Sequence, residues 1–252
     1  MIKRVIFFLY LLLTSFPSHD ARAGEPDAKE MVKRSDDLMR GDTSHGTYRM
    51  TVATPDWKRT LELDAYSSGR DKTFIRILSP QKEKGVSTLR VENNMWNFLP
   101  KVERTIKIAP SMMFQQWMGS DFANDDMVKE SSLVNDYTHT ASGEEIVDTF
   151  PALCIELIPK PGAAVTWGKL ILWVRKSDSC PLKQEFYDEH NKLIKVLEYS
   201  AIKKMSDREI PTIWVITPVT KPGCSTTIEV LEIVYNCPLD KDIFTLSNLK
   251  RT

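Results

Sequence analysis

The 252-residue sequence has no excess of charge of either sign: 34 Lys and Arg stand against 34 Asp and Glu. A sequence-independent nucleic-acid binder needs a marked basic surplus, so nucleic acid is excluded as a partner. No low-complexity stretch occurs, and a 42% hydrophobic share is too high for a disordered chain. No apolar run reaches the roughly 18 residues that a membrane-spanning helix needs. C-x-x-C, G-x-S-x-G, P-loop and G-x-G-x-x-G motifs are all absent, so redox, esterase and nucleotide chemistry have no local signature.

Metal-ligating residues are equally sparse. His45, His139 and His190 have no second His, Cys or carboxylate at a recognised metal spacing. Asp121, Asp125 and Asp126 are the only acidic cluster near aromatics. They lack the Gly and closing Glu of a calcium loop, and they read as caps and turn residues. The expectation is a protein without metal or cofactor that is not an enzyme.

What is present begins with an export signal. Met1-Ile2-Lys3-Arg4 is a short positive start, Val5 to Leu13 are free of charge, and Pro17 breaks the run. Ala21-Arg22-Ala23 then places small residues where a signal peptidase reads them, so cleavage is expected after Ala23 and the destination is the periplasm. Residues 24–252 carry 31 positive and 33 negative charges, a net of −2. All four cysteines (Cys154, Cys180, Cys224 and Cys237) lie in this exported part, where disulfides persist. Cys224 and Cys237 flank an extended run, Ser225 to Tyr235, whose ends stand about 40 Å apart, too far for a bond. Pairings of Cys154 or Cys180 with the others stay open.

Ala28, Met31, Val32, Leu38 and Met39 recur near helical spacing, so Glu25 to Arg40 reads as an amphipathic helix stopped by Gly41. The period then changes to two. Tyr48/Met50/Val52 and Leu61/Leu63/Ala65 alternate with polar residues, and the pattern continues to Tyr235 except across Ser111 to Lys129. That stretch reads as loop plus short helix, and Asp240 to Phe244 as a last helical turn. Residues 24–252 are expected to form one mainly β domain of the α+β class. It would be a single curved antiparallel sheet of about 11 strands, an unclosed barrel with an N-terminal helix and a short helical lid.

The concentrated feature is apolar. Trp96, Phe98, Leu99, Met112, Met113, Phe114, Trp117, Met118 and Phe122 fall within one short stretch. Met adapts to irregular partners and aromatics add rigid contact area, so these residues either line an acyl-chain groove and its lid or fill the core. Met31 and Leu38 would face the groove from the helix. Arg104 interrupts the apolar Val102, Ile106 and Ile108. It would pair with a carboxylate such as Asp121, or else touch a lipid headgroup or cargo.

Several strings in order carry a family resemblance. They are Leu78-Ser79-Pro80, Lys84-Gly85, Trp96-Asn97-Phe98-Leu99-Pro100, Arg104 and Met118-Gly119-Ser120-Asp121-Phe122. Further along come Gly168-Lys169-Leu170-Ile171-Leu172-Trp173-Val174, Pro181-Leu182-Lys183, Phe186-Tyr187-Asp188 and Asp242-Ile243-Phe244-Thr245. Together they resemble the LolA-like outer-membrane lipoprotein-sorting proteins. The resemblance implies an unclosed barrel whose apolar cavity holds lipid. It also implies a periplasmic carrier that takes acyl lipid or lipoprotein cargo from an inner-membrane export complex to an outer-membrane acceptor, and a monomer is expected. No functional residue is carried over from the family. The alternative on the same fold is a sensor that binds lipid or lipoprotein and signals to a membrane partner.

Overall fold

In the computed structural model, residues 27–251 are described, apart from 114, 125, 127–132 and 164. The export signal and the start of the domain at residue 24 therefore fall outside the described residues, as does Phe114. Helix α1 (Ala28–Arg40) is capped by Asp27, whose carboxylate accepts the Lys29 N–H at 3.1 Å. Gly41 ends it at φ 64°, with its N–H donating to the Asp37 carbonyl.

Thirteen strands follow. The first six are β1 (Thr43–Ala53), β2 (Lys58–Ser68), β3 (Lys72–Ser79), β4 (Ser87–Val91), β5 (Asn94–Leu99) and β6 (Arg104–Lys107). After an irregular crossing come β7 (Tyr137–Val147), β8 (Phe150–Pro159), β9 (Lys169–Arg175) and β10 (Pro181–Tyr187). The last three are β11 (Leu193–Met205), β12 (Arg208–Pro218) and β13 (Ser225–Tyr235). They form one antiparallel sheet in the order β6-β5-β4-β3-β2-β1-β13-β12-β11-β10-β9-β8-β7. Every neighbour except β1–β13 is a sequential hairpin or short connection, and that one pairing joins the two ends of the chain. The sheet does not close, since β6 and β7 are its edges.

The expected count of about 11 strands is therefore corrected to 13. β6 is exposed at all four residues, and the first half of β7 (Tyr137 to Gly143) carries little apolar alternation. In the lid, 3₁₀ turns lie at Pro110–Met112 and Trp117–Gly119, and Asn124 and Asp126 are α-helical. The chain ends in the 3₁₀ turn Lys241–Phe244 and a short helix α2 (Leu246–Leu249).

Alternation along the strands sorts apolar residues onto two faces. On the inner face, α1 packs Ala28, Met31 and Val32 against Leu153, Ile155, Leu157, Leu170 and Leu172. The first half of the sheet contributes Met50, Leu61, Leu63, Ile77 and Met95 to a second inner cluster with Trp117. Phe122 touches both clusters and so joins the two halves. On the outer face, Phe74, Leu89 and Phe98 are covered by Ile243, Phe244 and Leu249 of the C-terminal segment. All four cysteines are free thiols, two of them buried, so none of the open pairings forms. Among the described residues no helix is long and apolar enough to cross a membrane.

Candidate functional site

Between α1, the inner sheet face and the segment around Trp117 lies a cavity of about 290 Å³. Helix α1 presents Val32, Ser35, Asp36, Met39 and Arg40 to it, a stripe at i, i+3, i+4, i+7 and i+8. Strands β9 to β11 supply Leu170, Leu172, Phe186, Leu197 and Tyr199, and β12 and β13 supply Trp214, Ile216 and Ile228. The Tyr199 and Trp214 rings are cross-strand partners whose centroids stand 6.2 Å apart in an edge-on pair. Tyr48 approaches Trp214 from β1, also at 6.2 Å. Gly46 makes room for this, because a Cβ there would stand 2.6 Å from the Glu232 carbonyl oxygen and 3.1 Å from the Tyr48 ring.

The segment from Gln115 to Asn124 is a small closed hairpin. The Trp117 N–H donates to the Phe122 carbonyl at 2.7 Å, and the Asn124 N–H donates to the Gln115 carbonyl at 2.9 Å. The Trp117 indole donates to the Thr88 hydroxyl at 3.2 Å. Asp121 and Thr226 bind reciprocally: the Asp121 N–H donates to Thr226 Oγ1 at 2.9 Å, and that hydroxyl donates to Asp121 Oδ2 at 2.7 Å. The hairpin is thus stitched to β4 and β13, and Trp117 and Phe122 form part of the cavity wall.

Each end of the cavity carries a compensated charge cluster. At one end Lys195 Nζ lies 2.5 Å from Asp126 Oδ2, with the ammonium over the Trp167 and Phe186 rings at 4.7 and 4.8 Å. Asp126 also accepts the Ala123 N–H and the Trp167 indole N–H. At the other end Arg40 Nε donates to Asp36 Oδ1 at 2.7 Å, and Arg70 bridges Asp36 and Asp37. Burial acts to raise the Asp37 carboxyl, but hydrogen bonds from Lys33 and Arg70 outweigh it and hold it below the ordinary carboxylate value. The charged groups are therefore neutralised within the wall. What the space offers a ligand is mainly aromatic and aliphatic surface.

Of the residues expected at the groove, Trp117 and Phe122 face the cavity. Met112, Met113 and Met118 pack against the inner core cluster beside it. Met31 is buried in the core under α1, and Leu38 packs toward Ile210, Ile233 and Tyr235. Trp96 and Phe98 lie on the outer face beneath the C-terminal segment, because they have the opposite parity to inward-facing Met95. Leu99 ends β5, away from the cavity lining. Arg104 is exposed on edge strand β6 and does not pair with Asp121, whose carboxylate is taken by Thr226.

Lys195, Trp167, Tyr199 and Trp214 were not anticipated at the site. The available signal was register: Lys195, Leu197 and Tyr199 share one face of β11, so a lysine on that face is buried. Among the described residues no group of three or more His, Cys, Asp or Glu side chains could hold a metal ion.

The model of a family described as "Uncharacterized protein" matches residues 69–251. No curated protein matches the sequence. Among solved structures, a DUF1329 family protein from Desulfovibrio piger is similar at a TM-score of 0.81 and 24% identity, covering 88% of this chain and 97% of that one. An outer membrane lipoprotein-sorting protein domain from Vibrio parahaemolyticus is similar at 0.77 and 22%, covering 89% and 98%. A LolA superfamily protein from Nitrosomonas europaea is similar at 0.73 and 23%, covering 88% and 98%. The chain belongs to the family whose model spans residues 69–251, and its fold is that of the LolA-like lipoprotein-sorting proteins.

Proposed function

We propose that this protein is a periplasmic carrier that holds an acyl chain of a lipid or lipoprotein in the cavity between α1 and the sheet. The observation that carries this reading is the aromatic and aliphatic lining of a space of about 290 Å³ whose charged groups are already paired. A site built for a small anion would keep a cation free to meet it, whereas a neutral hydrocarbon chain needs only dry surface. Each methylene taken from water contributes about 0.8 kcal/mol. Ten would contribute about 8 kcal/mol before the cost of association, which suits a carrier that must also release.

The export signal read in residues 1–23 and the lipoprotein-sorting domain among the structural neighbours support a periplasmic location. In this reading residues 24–252 act as one monomeric domain. Cargo comes from an inner-membrane export complex and leaves to an outer-membrane acceptor whose groove binds it more tightly.

Titration with a fluorescent fatty acid tests the reading. Ala65 lines the cavity between Gly46 and Ile75 on neighbouring strands. Ala65→Phe should fill part of the space and weaken binding at least tenfold in a protein that still folds. Unchanged affinity in a folded Ala65→Phe protein would rule out this cavity as the binding site.

A further inference from the structure

The inner wall contains a polar side chain that the fold does not use. Gln184 lies in the middle of β10, 8% exposed, with its backbone opposite Leu172 on β9 and Leu197 on β11. Both neighbours line the cavity, and so do Pro181 and Phe186 on the same strand. Among the described residues the Gln184 amide has no hydrogen-bond partner, and it faces the open space. Thr166 also lines the cavity, and its hydroxyl oxygen is buried without a partner. The Gln184 amide instead keeps access to the cavity space, so it is available to bond a polar group that arrives with the ligand.

We infer that Gln184 is the hydrogen-bonding contact for the acyl carbonyl of the cargo, an ester or amide linkage drawn inside the cavity with its chain. A glutamine amide offers two N–H donors, which suits a carbonyl oxygen, and also an acceptor for an amide N–H. Position supports this choice. Gln184 is two residues along β10 from Phe186, which stands opposite Lys195, so their backbone positions are about 7 Å apart along the strand. The acyl linkage is held at Gln184, and the hydrocarbon runs over Leu172, Leu197 and Trp214. This rests on the carrier reading and narrows it: the protein selects acyl compounds over bare hydrocarbon of equal length.

The test compares two ligands on two proteins. Methyl dodecanoate and tridecane displace a fluorescent probe from the wild type and from Gln184→Leu, and comparing the change in each cancels their difference in hydrophobicity. The expected result is about tenfold weaker binding of the ester to Gln184→Leu with the alkane unchanged or tighter. The ligand-free variant should also melt higher, because an unpartnered amide has been replaced by an apolar side chain. Equal effects on both ligands, or a lower melting temperature, would overturn the assignment while leaving the carrier reading intact. If the wild type binds neither ligand, both fall.

Discussion

Lys195 of β11 and Asp126 of the crossing segment meet at 2.5 Å with side chains only 5% and 13% exposed. Removing one partner of a buried pair leaves the other charge uncompensated, at a cost of several kcal/mol. Lys195→Met is expected to destabilise the fold by about 3 kcal/mol, the low end of that range, because Asp126 keeps hydrogen bonds from Ala123 and Trp167. The double variant Lys195→Met/Asp126→Asn should recover most of the loss. Urea unfolding of the three proteins checks this, and a Lys195→Met protein as stable as wild type would contradict the buried pair.

The outer cluster makes a separate prediction. Leu249 is fully buried against Phe74, Leu89 and Phe98, and its carbonyl accepts from the Ser87 hydroxyl at 2.6 Å. Leu249→Ala should cost about 2–4 kcal/mol in stability. It should leave fatty-acid affinity unchanged, because this cluster lies on the face opposite the cavity. Reduced affinity at a temperature where the variant is folded would place Trp96 and Phe98 back at the groove.

Thiol accessibility distinguishes the cysteines. Burial pushes the Cys180 thiol up to about 12 and also raises that of Cys154. Cys224 and Cys237 are partly exposed. A colorimetric thiol reagent at pH 8 should therefore titrate two groups in the native protein and four in denaturant. Fewer than four in denaturant without reductant would reveal a disulfide.

Acid should weaken the fold through His139. Burial holds this imidazole below its ordinary value of 6.5, against a hydrogen bond to the Leu133 carbonyl that acts to raise it. The unfolded chain then binds the proton more readily, so the contribution is complete above about pH 6.5 and is lost as pH falls toward the folded value. His139→Gln should show a smaller drop in melting temperature between pH 7.5 and 5.5 than wild type. An equal drop would assign the acid sensitivity to other groups.

Much of this fold could be read from periodicity. Alternation at Tyr48/Met50/Val52 and Leu61/Leu63/Ala65 placed those residues on one face, and helical spacing with Gly41 fixed the end of α1. The cavity was harder. A cluster along the chain between Trp96 and Phe122 drew attention, but adjacent strand residues face opposite ways, so Trp96 and Phe98 went outward while Trp117 and Phe122 went inward. Much of the lining comes from β9 to β13, far along the chain, and the β1–β13 pairing sets it beside the first half of the sheet. Asp36, Arg40 and Lys195 carry charge yet sit within the wall, because each one's neutralising partner reaches it from another turn or another segment.

The most direct measurement is mass spectrometry of an organic extract of the exported protein purified without detergent. The account predicts an acyl-chain lipid or lipoprotein anchor in near one-to-one amount, depleted in Ala65→Phe. Extracts that contain no acyl compound from the wild type, or equal amounts from both proteins, would contradict it.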